Sequence, residues 1–220
     1  MRKYFLGLNP NLSDSTIQWR IHDLINSSVL RRTGRGLYEI GAEKIYKPEL
    51  SARAIKAGKF IKKNFPEVAF CVWSSDLLNE FSHHLTAYPF ILVDVERDVA
   101  ESIYYQLKDN FSGVFLRPSI ETIDFLLSEF HMPLFIRNLV SESPLVETSK
   151  IPTASIEKLL VDAFCDLEFL HTKGSEIRSI FYNAYSKYTV NENKLLRYAS
   201  RKGRKAELEN YLKEGNFNNQ

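Results

Sequence analysis

Apolar residues recur at a helical period between residues 13 and 26, where Ile17, Ile21, Leu24 and Ile25 fall within roughly a third of a turn of one another at 100° per residue. Ser13 is placed to cap this helix, and Leu12 before it to staple onto Ile17. Two strand-like runs follow, Val29-Leu30-Arg31-Arg32 and Leu37-Tyr38-Glu39-Ile40. They are separated by Thr33-Gly34-Arg35-Gly36, whose glycines permit the positive φ angles of a tight hairpin. Further along, the runs 68–73, 89–95, 113–117 and 133–137 are apolar or β-branched and read as buried strands. Between them, 75–84, 98–109 and 119–130 are helical in period, each opened by a Ser or Asp cap. Such alternation predicts a mostly parallel sheet covered by helices. A linker near 45–51 and a lysine-rich helix over 52–64 join the two parts. From Ser155, which caps a helix over 156–164 with Leu159, Leu160 and Phe164 toward the sheet, the chain is helical, with further helices over 176–188, 191–202 and 204–213. No internal repeat is present.

The helix and the basic hairpin stand in the order of the recognition helix and wing of a winged helix-turn-helix. The polar side of the helix carries Ser15, Thr16, Gln18, Trp19 and His22, with Arg20 at its flank. Hydroxyl, amide, aromatic and imidazole groups in one stripe can meet base edges and phosphates in a major groove; a solvated helix face is the plainer alternative. Trp19 argues for contact, because a large aromatic on a polar face either packs on another domain or touches a ligand. Arg31, Arg32 and Arg35 crowd the hairpin tip, where a wing gains affinity by counterion release from the phosphate backbone; a solvated basic loop is the alternative. A full winged helix places two helices before the recognition helix, and residues 1–11 leave room for at most a short one. The fold class is therefore α/β, α+β overall. A small N-terminal winged helix-turn-helix spans 1–47, and an α/β domain spans 48–220, with alternating helices about a central sheet and a C-terminal helical segment from about 155.

Composition adds limits. The chain has 220 residues, 44% hydrophobic and 25% charged, without low-complexity tracts, so it reads as globular and long enough to bury a real core. No apolar run approaches 18 residues and no signal peptide is evident, which predicts a cytoplasmic protein without a membrane partner. Cys71 and Cys165 lie in apolar surroundings without metal-ligand spacing and read as buried reduced thiols. The net charge of +2 conceals a partition. Residues 1–63 hold 13 Lys/Arg against 5 Asp/Glu, residues 64–170 hold 6 against 17, and residues 171–220 hold 10 against 5. The basic N-terminal end suits nucleic acid, and the acidic middle suits something else, such as a basic protein surface.

Candidate chemistry is sparse. Asp94 and Glu96 alternate at a strand end as the metal-holding carboxylates of nucleotidyltransferases and some nucleases do. The companion residues are missing: no Gly-Ser turn lies shortly upstream, and Asp98 stands where a nuclease places lysine. Solvated acids at the end of a buried strand are the favoured reading. His83 and His84 near Glu80 point about 100° apart on a helix and read as surface histidines. Glu157, Lys158 and Asp162 form a charged stripe in which Lys158 and Asp162 can pair at i, i+4. Arg197, Arg201, Lys202, Arg204 and Lys205 form a basic cluster near the end, read as solvent-facing, with a second phosphate or acidic-partner contact as the alternative. No catalytic residue, metal or cofactor is assigned.

Several segments together resemble the AbiEi-like antitoxin regulators of abortive-infection (type IV) toxin-antitoxin systems. They are Trp19-Arg20-Ile21, Arg31 to Tyr38, Trp73-Ser74-Ser75 and Leu78-Asn79-Glu80-Phe81. Asp94-Val-Glu96 with Glu101-Ser102, Leu139 to Pro144, Ile156 to Asp162, and Lys187-Tyr188 with Leu196-Arg-Tyr-Ala199 are similar to a bacterial branch of that group often described only as a domain of unknown function. The resemblance implies a non-enzymatic protein with two tasks. Its N-terminal winged helix would bind double-stranded promoter DNA through Ser15, Thr16, Gln18, Trp19, Arg20, Arg31, Arg32 and Arg35. Its C-terminal domain would neutralise a nucleotidyltransferase-like toxin encoded nearby. A protein-interaction module that does not bind DNA is the second reading, and a metal-dependent nucleotidyltransferase or nuclease using Asp94 and Glu96 the third.

Overall fold

Four short strands, β3 (Phe70–Ser74), β4 (Ile91–Val95), β5 (Val114–Leu116) and β6 (Leu134–Asn138), form the central sheet in the order β3-β4-β6-β5. β4 and β5 run parallel to β6, and β3 is antiparallel to β4. Successive strand side chains point to opposite faces, and here both faces are apolar. Phe70, Val72, Ile91, Val93, Val95, Leu134 and Ile136 face one core, while Cys71, Trp73, Leu92 and Phe135 face the other. That explains the uninterrupted hydrophobic runs. The same parity places Asp94 and Arg137 on the second face, opposite each other in the β4–β6 register.

The first face is covered by α2 (Ala52–Asn64) and α3 (Ala100–Asn110). Ser51 starts α2 by accepting from the Ala54 N–H at 3.2 Å, and Ala54, Ala57 and Ile61 are its inward stripe. The second face carries α4 (Ile120–Glu129), α5 (Ile156–Cys165), α6 (Ser175–Lys187), α7 (Glu192–Arg201) and α8 (Lys205–Gly215). The architecture is thus a mixed α/β sandwich, as the alternating pattern predicts. The structure is a computed structural model. It describes residues 4–217 apart from 6, 8, 9, 11, 27, 28, 35, 42, 43, 167 and 170–173, with backbone alone at 26, 31–34 and 39. At the N-terminal end it contains α1 (Asp14–Asn26) and the antiparallel pair β1 (Leu30–Gly34) and β2 (Leu37–Ile40).

Three sequence expectations need correction. Residues 75–84 do not form an α-helix; a 3-10 turn occupies Ser75–Glu80 and buries Leu77 and Leu78. A second hairpin, β7 (Leu145–Thr148) with β8 (Ile151–Ala154), has no counterpart in the expected elements and packs beside β3. The stretch read as a linker is anchored: Tyr46 is buried against Phe81 and Tyr188, and the Thr189 N–H donates to the Lys44 carbonyl at 2.9 Å. No helix among the described residues is long and apolar enough to cross a membrane.

Candidate nucleic-acid interface and buried ionic centre

The helix α1 begins where Ser13 Oγ accepts from the Thr16 N–H at 3.2 Å, and the Ser13 hydroxyl also lies 2.8 Å from that of Thr16. Ile17 and Ile21 are buried with Phe5, and Leu12, Leu24, Ile25 and Tyr38 pack around them. The opposite side is open. Ser15, Gln18, Trp19, Arg20 and His22 are exposed, and Thr16 is half-buried through its part in the cap. Trp19 is 67% exposed, so it does not pack on the body of the protein. At 100° per residue, Ser15, Gln18, Trp19 and His22 share an arc of about 100°, and Arg20 lies about 100° beyond Trp19, on the far flank of the exposed side. In the hairpin, Arg31 pairs with Glu39 and Arg32 with Tyr38 along the backbone, and the register shifts between Arg32 and Gly34. Gly36 closes the turn at φ +76°. Arg35, and the side chains of Arg31 and Arg32, lie outside the described residues.

A second constellation emerges only in three dimensions. Asp94 at the carboxyl end of β4 accepts from Arg137 Nε at 2.8 Å. Its other oxygen lies 2.8 Å from Lys158 Nζ, an ion-pair contact without hydrogen-bond geometry. Lys158 and Asp162, one turn apart on α5, pair at 2.7 Å, and Tyr198 of α7 donates to Asp162 at 2.9 Å. Lys202, capping α7, reaches Asp162 at 2.6 Å and also pairs with Asp166. Arg137 completes the ring to Asp166 at 2.9 Å and Glu168 at 3.2 Å. Three cations therefore meet four carboxylates around a cleft of about 220 Å³ at the carboxyl ends of two parallel strands. That is the edge at which open α/β sheets commonly place ligands.

The electrostatics of the centre follow from burial and pairing together. Burial pushes the Asp94 carboxyl up, but Arg137 and Lys158 outweigh it and hold the group below the usual carboxylate range. The Asp162 carboxyl is likewise raised by burial and brought far lower by Lys158, Lys202 and Arg137. Asp166 goes the other way: burial and the Asp162 charge raise it more than Arg137 and Lys202 lower it. Lys158 stays charged because Asp162 and Asp94 overcome its desolvation. The Tyr198 phenol is pushed up to about 12, first by burial and then by Asp162. Every charge has an opposite neighbour, so the ring joins the sheet to the helical tail.

Several sequence assignments change here. Asp94 is not a solvated acid; it is 1% exposed and ion-paired on both oxygens. Glu96 is exposed and accepts from the Ala69 N–H at 2.8 Å, so the two carboxylates serve different partners. Among the described residues, no group of three or more His, Cys, Asp or Glu is placed to hold a metal ion. The C-terminal basic cluster is divided. Arg197 and Arg201 pair with Glu142 at the surface, Lys202 turns inward to the ionic centre, Arg204 pairs with Glu207 at 2.5 Å, and Lys205 is exposed. The expected Lys158–Asp162 pair forms, but in the interior. Arg137, Asp166, Glu168 and Tyr198 had no local signal, since their partners are 29 to 43 residues away in the chain. Cys71 is buried and its thiol is pushed up by burial; Cys165, half-buried, is raised to about 11 by the same cause.

A family model described as a family of unknown function (DUF6577) matches residues 16–218, nearly the whole chain. No curated protein matches it.

Proposed function

The chain belongs to DUF6577, a family of unknown function, and from that premise we propose that it is a DNA-binding transcriptional regulator of antitoxin type. In this reading the N-terminal module binds the promoter of its own gene, and the α/β body neutralises a nucleotidyltransferase-like toxin. The observation that supports it most is the split character of α1. Ile17 and Ile21 are buried, while Ser15, Gln18, Trp19, Arg20 and His22 are exposed, directly before a two-stranded hairpin. Amide and guanidinium groups on such a face suit adenine and guanine edges, and an apolar surface such as that of Trp19 suits the thymine methyl. The ionic centre is assigned no reaction; its charges are committed to one another and hold α5 and α7 on the sheet.

Gel-shift titration of the full chain on the duplex upstream of its gene tests the DNA half. Gln18→Ala, Trp19→Ala and Arg20→Ala should each weaken specific binding by about 1–3 kcal/mol, the worth of a good base contact. Unchanged affinity in all three removes the recognition-helix assignment. The toxin half is tested by co-expression with a neighbouring nucleotidyltransferase-like reading frame. Growth should be restored by the full chain, and persistent arrest removes that half. A protein-interaction module without DNA binding is the second reading, favoured by the acidic apolar pocket described below.

A further inference from the structure

A cavity of about 570 Å³ opens between residues 82–88, α4 and the first turn of α6, and shares no lining residue with the ionic cleft. Its size is that of an ordinary ligand or side-chain pocket. Leu78, Leu127 and the buried ring of Phe169 supply apolar lining. At its mouth Leu85 and Tyr88, from one short loop, are 78% and 60% exposed and extend the apolar lining outward. The charged lining is of one sign: Asp124 from α4 and Glu176 from α6, with no Lys or Arg among the described residues. The same bias runs along the chain, because residues 64–96 contain Glu67, Asp76, Glu80, Asp94 and Glu96 and no Lys or Arg.

The wall is held in place from both sides. Glu176 Oε1 accepts from the backbone N–H groups of His83 and His84 at 2.9 and 3.3 Å, tying the loop to α6. Asn79 Oδ1 accepts from both the N–H and the hydroxyl of Thr86 at 2.8 Å. A pocket fixed in this way loses little entropy when filled.

We propose that this pocket receives an apolar segment of a partner protein bearing arginine or lysine. An apolar side chain sits on Leu78, Leu127 and Phe169, and a neighbouring cation is held by Asp124 and the second carboxylate oxygen of Glu176. Leu85 and Tyr88 select a protein over a small molecule, because they extend the apolar surface outward to where only a larger partner covers it. An anchor in a pocket with a charged rim is how protein interfaces concentrate their affinity. The proposal deepens the partner half of the proposed function and depends on it only for who the partner is.

The test uses the full chain labelled with nitrogen-15 and a panel of capped hexapeptides alternating Arg with Leu, Phe or Trp, alongside the same panel with Glu replacing Arg. Saturable amide shifts centred on Leu85, Tyr88 and Asp124 are expected with the Arg peptides and not with the Glu peptides. Asp124→Lys, an exposed change that keeps the fold, should weaken the Arg peptides about tenfold or more. Leu127→Trp, filling the cavity, should abolish the shifts while the remaining spectrum stays dispersed. No saturable shift at the pocket, equal binding of the Glu peptides, or full affinity in Asp124→Lys would overturn the proposal. Peptide binding without toxin rescue would leave the pocket standing and remove the antitoxin reading. Toxin rescue that survives Asp124→Lys and Leu127→Trp without peptide binding would do the reverse.

Discussion

Asp162 has no solvent exposure and stands among Lys158, Lys202, Arg137 and the Tyr198 hydroxyl. Removing one member of a buried ionic group leaves the others uncompensated, at a cost of about 3–5 kcal/mol. Asp162→Ala should therefore shift the urea midpoint steeply, whereas Glu142→Gln, which loosens only surface pairs to Arg197 and Arg201, should leave it almost unchanged. Equal midpoints would show that the ring is not structural. The carboxyls of Asp94 and Asp162 are lower in the folded chain than the ordinary aspartate value of about 3.9. Their stabilisation is complete above that value and is lost as the pH falls below it. Asp166, raised in the fold, has the opposite sign: it favours folding at low pH and opposes it as the pH rises through its folded value. Below the ordinary aspartate value Asp166 is protonated in both the folded and the unfolded chain, so only Asp94 and Asp162 act, and the melting temperature should fall as the pH drops from about 4 to about 2. Asp162→Ala should flatten that decline; an unchanged pH profile would contradict it.

Among the elements, local chemistry decides what was legible. The helix over 52–64 forms where it is expected, and the fold shows what fixes it: Ser51 caps its start, and Ala54, Ala57 and Ile61 are its buried stripe. The hairpin after α1 was announced by glycines. The β7–β8 hairpin was silent, because Ser149 and Lys150 take its turn at φ +52° and +63° without a glycine, and Pro152 argues against a strand. Residues 75–84 misled, since Leu77, Leu78 and Phe81 mimic a helical stripe while serving a 3-10 turn that plugs the core. The β7–β8 hairpin also explains Gly58 in the middle of α2. A Cβ there would lie 2.5 Å from Ile151 Cγ2, a methyl fixed on a buried β-branched side chain. Gly→Ala within a helix normally stabilises by up to about 1 kcal/mol, but overpacking costs about 1–3 kcal/mol and should win here. Gly58→Ala should lower the melting temperature, and adding Ile151→Ala should recover part of what the two single changes lose separately. Strict additivity of the two would refute the close packing of α2 on β8.

For the whole molecule, charge segregation was visible in the sequence and its use was not. The basic N-terminal residues and the acidic middle are plain in the residue counts. No count could tell that Lys202 turns inward while Arg197 and Arg201 stay at the surface. Nor could it show that Asp94 meets Arg137 from a neighbouring strand 43 residues on. Such pairs are set by sheet register and helix docking, which only the folded chain brings about. The exposed face of α1 was readable in advance because it depends on one helix alone. Whether that face reads DNA is decided most directly by fluorescence anisotropy of the full chain on its upstream duplex between about 50 and 200 mM salt, the range over which phosphate neutralisation reveals itself. Wild type should bind with an affinity that falls steeply with salt, and replacing Arg31, Arg32 and Arg35 with alanine should lower the slope by about 0.9 for each phosphate no longer neutralised. No binding by the wild type, or an identical slope in the triple variant, would contradict a DNA-reading helix and wing.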